Sequence, residues 1–202
     1  VPREDRTVRI DGSLIDWPPA QPLAMTDLRQ LSGTAHGSWR GPQDLQAQGF
    51  LMWDADHLYV AMVVRDDWHR PLEKVHRDDT EIPPADAVVV LCDPARDTRA
   101  VGADPGRKED TAFWLAAVGE GRLIQWDRLR GQANFCDGAR LAVVRNDDEG
   151  LTTYEAQIPW RAVMPGDPAV EVGTALDLQL TVEDFDEVTD TMPQSRLGWT
   201  FG

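Results

Sequence analysis

Strict alternation of apolar side chains in residues 58–64 is the sequence feature that most constrains the fold. One face of this segment carries Leu58, Val60, Met62 and Val64, and the other carries Tyr59, Ala61 and Val63. A period of two is that of a β-strand, in which successive side chains point to opposite faces. A polar connection of hairpin length, residues 54–57, joins this segment to residues 45–53. The two segments therefore predict a β-hairpin within a packed sheet.

Further short segments have the same strand-like character, and polar or glycine-rich turns separate them. They are residues 7–10, 87–92, 112–118, 122–126, 141–145, 152–158 and 175–183. A helical turn is indicated only at residues 160–163, which follow Pro159. About nine or more short strands predict an all-β fold, an antiparallel β-sandwich of jelly-roll type.

The length of 202 residues fits one domain of this class, so residues 1–202 are predicted to form a single β-sandwich domain. Three long irregular stretches lie at about residues 18–44, 66–84 and 94–110. Loops of this length in a small domain tend to carry function or to cover an open face of the scaffold. We therefore expect covering loops, with the binding site among them.

The charge balance argues against several classes of partner. The chain has 35 acidic and 20 basic residues and a formal net charge of -15 at pH 7. The electric field of this negative charge repels nucleic acids and anionic membrane surfaces, whereas it does not exclude cations and neutral ligands as partners. The sequence has no apolar run long enough to span a bilayer. Its charged opening, residues 1–6, is unlike a signal peptide, so we interpret it as a mature form or as one that never had a leader.

Catalytic and thiolate-metal motifs are missing from the sequence. There is no G-x-S-x-G and no H-E-x-x-H, and the glycine-rich residues 102–108 lack the Gly-Lys-Ser/Thr core of a phosphate loop. The two cysteines, Cys92 and Cys136, lack the C-x-x-C spacing of zinc and redox sites. They either pair, which would stabilise the chain by roughly 4 kcal/mol, or remain two buried thiols. The sequence predicts a protein that is not an enzyme.

Five segments, spread in order over almost the whole chain, resemble motifs of the family 9 carbohydrate-binding modules and their DOMON-like relatives. They are residues 10–17, 53–61 running on to Asp66 and Asp67, 86–93, 154–160 and 182–186. The resemblance implies a non-catalytic β-sandwich that binds a glycan by stacking sugar rings on tryptophans, with calcium ions stabilising its loops. It also implies an extracellular, cell-surface or periplasmic location. Within these motifs, Trp53, Tyr59 and Trp160 are predicted to be core aromatics.

This chain departs from the family pattern where the sugar is gripped. Residues 82–85 occupy the place of a tryptophan that usually precedes the acidic strand opening, and the family's late-loop tryptophan has no counterpart. The candidate ligand-binding residues are therefore Trp68 and His69 in a long loop, Trp114 on the face opposite Phe113 and Leu115, and Trp126 on the next strand. The alternative is that these tryptophans pack beneath covering loops.

Four acidic residues are candidates for a calcium site: Asp66, Asp67, Asp184 and Asp186. Calcium takes several carboxylate and carbonyl oxygens from flexible loops, and two of these residues follow a predicted strand while two close another. The alternative interpretation is that they are solvated acids of ordinary turns.

Three functional classes remain open from the sequence. The first is a glycan-binding module. The second is a DOMON-like haem or redox module, which needs axial ligands such as Met25, Met52 or a histidine. The third is a scaffold or interaction domain that keeps the sandwich without a sugar site.

Overall fold

The structure is a computed structural model that describes residues 1–3, 8–31, 39–96, 110–116, 121–127, 130–164, 166, 169–187 and 190–199. Within these ranges the chain forms eleven β-strands, one short α-helix and two 3-10 turns, at Leu14–Asp16 and Leu28–Gln30. The strands are β1 (Leu23–Met25), β2 (Leu45–Trp53), β3 (His57–Asp66), β4 (Ala87–Asp93), β5 (Thr111–Leu115), β6 (Ile124–Asp127), β7 (Gln132–Phe135), β8 (Arg140–Asn146), β9 (Leu151–Pro159), β10 (Asp177–Asp184) and β11 (Ser195–Trp199). The helix α1 is Trp160–Val163, as the sequence predicts.

The strands form two antiparallel sheets, which confirms the predicted β-sandwich. The five-stranded sheet has the order β1-β2-β3-β9-β8, and the six-stranded sheet has the order β11-β10-β4-β5-β6-β7. The predicted hairpin is β2 with β3, paired from Leu45 opposite Asp66 to Trp53 opposite Leu58. β3 pairs with β2 on one edge and with β9 on the other, and most of its side chains are buried on both faces. This explains why its alternating sequence has almost no polar side.

The main core lies between the two sheets. The six-stranded sheet contributes Val88, Val90, Phe113, Leu115 and Leu180, and the five-stranded sheet contributes Val60, Met62, Tyr154, Ala156 and Ile158. Trp53 and Trp160 pack into the same core, whereas Tyr59 packs with Val8 and Met52 in a smaller cluster. All three predicted core aromatics are buried.

A buried carboxylate in the five-stranded sheet forms hydrogen bonds with the turn at residues 11–17. Glu155 in β9 is fully buried, and its Oε2 accepts hydrogen bonds of 2.8 Å from the backbone N–H groups of Asp11 and Gly12. Its Oε1 accepts a third bond, also 2.8 Å, from the indole Nε1 of Trp17. The first and fourth motif segments of the sequence are thus joined by one structural contact.

Several sequence expectations differ from the structure at the sheet edges. The predicted strand at residues 7–10 is not formed by residues 8–10, because this part of the chain turns towards Glu155; Thr7 lies outside the described residues. The sequence misses β1, β7 and β11, which are short strands at or near the edges and have little alternation. The end of the predicted strand 112–118 also falls outside the described residues beyond Ala116.

The cysteines are two separate buried thiols. Cys92 in β4 is 1% exposed and Cys136 after β7 is 7% exposed, and both are free. Burial raises the pKa of each thiol to about 12, so neither is a reactive thiolate near neutral pH. In the part of the chain that the structure describes, no helix has the length and apolar character needed to cross a bilayer.

Candidate functional site

The outer face of the six-stranded sheet carries a pair of tryptophans. Alternation along β5 sends Phe113 and Leu115 into the core and leaves Trp114 half-buried on the opposite face. Trp126 in β6 lies on this same face, diagonally across from Trp114 in the strand register. The two ring centroids are 6.2 Å apart, and the ring planes are inclined by 58°. The two rings therefore present a bent aromatic surface rather than one flat platform.

Trp114 and Trp126 line a cleft of about 270 Å³, called here the aromatic cleft. The sheet contributes the two tryptophans with Ala87, Glu183 and Arg196. The long loop between β3 and β4 contributes Leu72 and residues 82–85, and the loop after β10 contributes Phe185 and residues 191–193. The expectation that long loops cover a face of the sandwich is confirmed for the loop between β3 and β4. This loop packs Leu72, Val75 and Ala85 on the sheet.

One ion pair supplies the charged groups of the aromatic cleft. Glu183 and Arg196 are direct partners across β10 and β11. Arg196 donates from Nε at 3.1 Å, and its Nη2 lies 3.0 Å from the same Oε1 of Glu183. A sugar ring has apolar C–H faces and hydroxyl edges, and a site for it needs aromatic surface with a few polar groups beside it. The aromatic cleft has both.

The other two candidate ligand-binding residues lie elsewhere. Trp68 follows directly after β3 and is 37% exposed, and its backbone N–H donates to Oδ1 of Asp66 at 2.9 Å. His69 is more buried than Trp68, and its Nδ1 lies 3.1 Å from Oδ2 of Asp86. Neither residue lines the aromatic cleft. The structure thus brings Trp114 and Trp126 together and separates them from Trp68 and His69.

Aspartates from three strand ends meet at one end of the sandwich. Asp66 ends β3, Asp184 ends β10, and Asp86 immediately precedes β4. Ligand atoms of Asp66, Asp184 and Asp186 lie within 4.8 Å of one another, and so do those of Asp66, His69 and Asp86. We call these five residues the carboxylate cluster. Antiparallel pairing places the end of β10 beside the start of β4, which is why residues distant in sequence converge here.

Three of the four predicted metal ligands belong to the carboxylate cluster. The fourth, Asp67, is outside the two convergent sets, and its Oδ2 lies 3.1 Å from Nη2 of Arg40. Asp86 is not among the metal ligands predicted from the sequence, and His69 is predicted there as a sugar-binding residue. An aspartate directly before an uninterrupted apolar strand was the available signal for Asp86, but only the fold shows which strand ends meet.

Burial makes the carboxylate cluster electrostatically costly. Asp66 and Asp184 are 4% and 2% exposed. Burial, and then the negative charges of Asp66, Asp186 and Asp86, raise the pKa of Asp184 to about 9. Burial, and then the charge of Asp86, also raise the pKa of Asp66. In addition, Oδ1 of Asp184 is buried without a hydrogen-bond partner. Buried, unpartnered carboxylate oxygens of this kind fit a hard cation such as calcium.

The metal-free protein is expected to lose stability as the pH rises. Asp184 has an ordinary pKa of 3.8 and a folded-state pKa of about 9, so between these values the folded state holds a proton that the unfolded state has released. The free energy of unfolding therefore falls with increasing pH across this window. Thermal melts in chelator at pH 5 and pH 8 check this: we expect the lower melting temperature at pH 8. A higher melting temperature at pH 8 than at pH 5 would contradict this expectation. So would a difference between the two pH values that is the same in the wild-type protein and in Asp184→Asn.

The carboxylate cluster and the aromatic cleft share the same short stretches of backbone. Ala85 and Ala87, which flank Asp86, line the cleft, and so does Phe185, which stands between Asp184 and Asp186. The backbone N–H of Phe185 also donates to Oδ1 of Asp86 at 2.9 Å. Arg70 holds the adjoining loop by donating from Nη1 to the carbonyls of Glu187 at 3.1 Å and Asp190 at 2.9 Å.

The candidate haem ligands Met25 and Met52 are both fully buried. Met25 lies in the core between the sheets, and Met52 lies in the cluster with Val8 and Tyr59. Neither lines the aromatic cleft. The structure thus contains no observation that favours a haem site at these two methionines within the described residues.

Comparison with known proteins finds similarity in structure alone. Neither a scan against protein-family models nor a search of curated proteins gives a significant match to the sequence. Two solved structures of a family 9 carbohydrate-binding module from Caldicellulosiruptor kristjanssonii are similar to this chain. The complex with cellotriose has a TM-score of 0.61 and 17% identity, over 98% of this chain and 81% of that one. The complex with glucose has a TM-score of 0.58 and 16% identity, over 98% and 84%.

Proposed function

Because the chain has the fold of the family 9 carbohydrate-binding modules, we propose that it is a non-catalytic module that binds a glycan in the aromatic cleft. The observation that carries this proposal is the pairing of Trp114 and Trp126 with the Glu183–Arg196 ion pair in one cleft. The tryptophans stack on the apolar faces of a sugar ring, and the ion pair offers donors and acceptors to its hydroxyls.

The proposed ligand is a neutral glucose-based saccharide. A net charge of -15 disfavours uronic-acid and sulfated glycans, because approach of an anion to this surface is repelled. A cleft of about 270 Å³ lies at the small end of ligand sites, which suits one or two sugar rings of a chain. The two similar structures of a family 9 carbohydrate-binding module were solved in complex with cellotriose and with glucose.

Isothermal titration calorimetry with cellotriose and glucose tests the proposal. We expect saturable binding of cellotriose with one site per chain, and weaker binding of glucose because it makes fewer contacts. An anionic oligosaccharide of similar length, such as trigalacturonate, is the matched control and is expected to bind more weakly than cellotriose. Absence of heat with neutral sugars, together with no retention on cellulose, would contradict the proposal and favour the scaffold alternative.

We further propose that calcium binds at Asp66, Asp184 and Asp186. Calcium takes six to eight oxygen ligands, and these carboxylates supply oxygens from two different strand ends and a loop. The ion would neutralise carboxylates whose buried charges otherwise repel one another. The chain's own contribution is to hold these groups in place, through the bond from the backbone N–H of Trp68 to Asp66 and the bond from Gln194 N–H to the carbonyl of Asp184.

Calcium is expected to raise the melting temperature at pH 7. A ligand that binds only the folded state stabilises it by about 2.7 kcal/mol at a concentration 100 times its dissociation constant. Differential scanning calorimetry in calcium and in chelator measures the effect, and Asp184→Asn is expected to remove most of it. The exposed residue Asp148 provides a matched control, since Asp148→Asn should keep the full calcium effect. Identical melts with and without chelator would contradict the calcium proposal.

The proposed ligand also implies where the module acts. Polysaccharides of this class are encountered outside the cytoplasm, so we expect the protein to work outside the cell, at the cell surface or in the periplasm. The free state of Cys92 and Cys136 does not oppose this location, because buried thiols are inert in an oxidising environment.

A further inference from the structure

The carboxylate cluster and its surroundings hold more carboxyl groups than one divalent cation balances. Six aspartates interact here: Asp44, Asp66, Asp67, Asp86, Asp184 and Asp186. Among the described residues, the guanidinium groups within 4.0 Å of them belong to Arg40, on Asp44 and Asp67, and to Arg145, on Asp66. When all six carboxyls are ionised, the two guanidinium charges leave a net charge of -4, which two divalent ions balance.

The donor atoms divide into two sets with different chemistry. Asp66, Asp184 and Asp186 offer oxygen atoms only, whereas Asp66, His69 and Asp86 include an imidazole nitrogen. Asp66 belongs to both sets, and its two carboxylate oxygens allow it to face two ions. Calcium prefers oxygen ligands, while a set of one imidazole and two carboxylates suits zinc and similar divalent transition ions.

The nitrogen donor is buried and has no hydrogen bond of its own. Nδ1 of His69 is inaccessible and lacks a partner with hydrogen-bond geometry, although it lies only 3.1 Å from Oδ2 of Asp86. Adjacent ligand atoms of a tetrahedral zinc ion, each about 2.0 to 2.2 Å from the metal, are separated by about 3.3 to 3.6 Å, so a small shift of either side chain would admit the ion. The unpartnered Oδ1 of Asp184, a residue 2% exposed, lies in the same cluster.

The two carboxylates beside His69 are already held in fixed orientations. Asp86 accepts from the backbone N–H of Arg70 at 2.7 Å on Oδ2 and from that of Phe185 at 2.9 Å on Oδ1. Asp66 accepts from the backbone N–H of Trp68 at 2.9 Å on Oδ1. Outer hydrogen bonds of this kind orient the ligands of metal sites and raise their affinity.

We propose that Asp66, His69 and Asp86 form a second cation site, for a divalent transition ion of the zinc class, that shares the Asp66 carboxylate with the proposed calcium site. Three protein ligands leave a fourth position for water. The site lies next to Ala85, Ala87 and Phe185, which line the aromatic cleft. A bound ion therefore holds the start of β4, which contributes Ala87 to the cleft, in place. The proposal does not depend on sugar binding.

Cobalt is the probe, because Co²⁺ replaces zinc and absorbs visible light when protein ligands bind it. The intact protein is first saturated with calcium to fill the all-oxygen site, and is then titrated with Co²⁺. We expect visible absorption that saturates at one ion per chain and disappears on addition of Zn²⁺. His69→Gln should weaken Co²⁺ binding by more than the roughly 10- to 100-fold that follows loss of an outer-sphere partner.

Two further variants keep the test decisive. His76→Gln alters an exposed histidine of the same loop and should leave the absorption unchanged. His69→Cys replaces the nitrogen by a thiolate and should restore binding with a new sulfur-to-cobalt charge-transfer band, which a purely structural role of His69 would not produce. Absence of cobalt absorption, equal absorption in wild type and His69→Gln, or loss of absorption in His76→Gln would each overturn the proposal.

Discussion

Replacing Glu155 by glutamine is expected to lower the free energy of unfolding by about 3 kcal/mol, one of the largest effects of any isosteric change in this chain. The carboxylate is fully buried and accepts from three donors, the N–H groups of Asp11 and Gly12 and the indole of Trp17. Glutamine has the same shape, but its NH₂ group must face a donor in either orientation. At least one buried N–H then loses its partner. Urea denaturation followed by circular dichroism measures the difference.

Two further variants serve as controls for the Glu155 prediction. Glu149→Gln makes the same chemical change at an exposed turn and should shift stability by less than about 0.5 kcal/mol. Trp17→Phe removes only one of the three bonds and should cost less than Glu155→Gln while keeping the chain folded. If Glu155→Gln and Glu149→Gln unfold at the same urea concentration, the turn at residues 10–17 is not held by this carboxylate.

Truncating Trp114 or Trp126 to alanine is expected to weaken cellotriose binding by about 30-fold or more, equivalent to about 2 kcal/mol. Each ring supplies part of the apolar surface of the aromatic cleft, and truncation removes that surface without providing another partner for the sugar. Calorimetric titration gives the dissociation constants. A melt of each variant at the titration temperature establishes that the binding measured is that of folded protein.

Trp68 provides the matched control for the cleft tryptophans. It is 37% exposed and does not line the cleft, so Trp68→Ala should change the dissociation constant by less than a factor of about 2. Trp114→Phe keeps an aromatic ring and should retain part of the affinity. A loss in Trp68→Ala that equals the loss in Trp114→Ala would place the sugar on the exposed loop instead of in the cleft.

The strands that sequence could predict are those buried on both faces or with one clean apolar side. β3 shows this best, because neighbours on both edges and packing on both faces leave a nearly unbroken apolar alternation. β1 has three residues and β7 has two polar ones among four, so neither has enough alternation to be recognised. These strands depend on pairing with a neighbouring strand, β2 for β1 and β6 for β7, and that partner is visible only in the fold.

Some residues of the candidate site could likewise be predicted from the sequence, and others could not. Trp114 could be placed from local alternation, because Phe113 and Leu115 fix the inward face of β5. The carboxylate cluster could be predicted only in part, because Asp66, Asp86 and Asp184 come from separate strands in two sheets. His69 was predicted to bind the sugar together with Trp68; in the structure its Nδ1 lies 3.1 Å from Asp86, whereas Trp68 is 37% exposed. The local sequence pattern predicts on which face of the sheet a side chain lies. Which strand ends are adjacent in space depends on the tertiary fold and cannot be predicted from a local pattern.

The indole N–H resonances of the eight tryptophans report directly on whether sugar binds in the aromatic cleft. In a two-dimensional ¹H–¹⁵N titration with cellotriose, we expect large, saturable shifts of the indole N–H resonances of Trp114 and Trp126. The buried indoles of Trp53 and Trp160, whose N–H groups donate to carbonyls of Val1 and Asp54, should remain in place. Unchanged Trp114 and Trp126 resonances at saturating sugar, or shifts at Trp68 alone, would contradict sugar binding in the aromatic cleft.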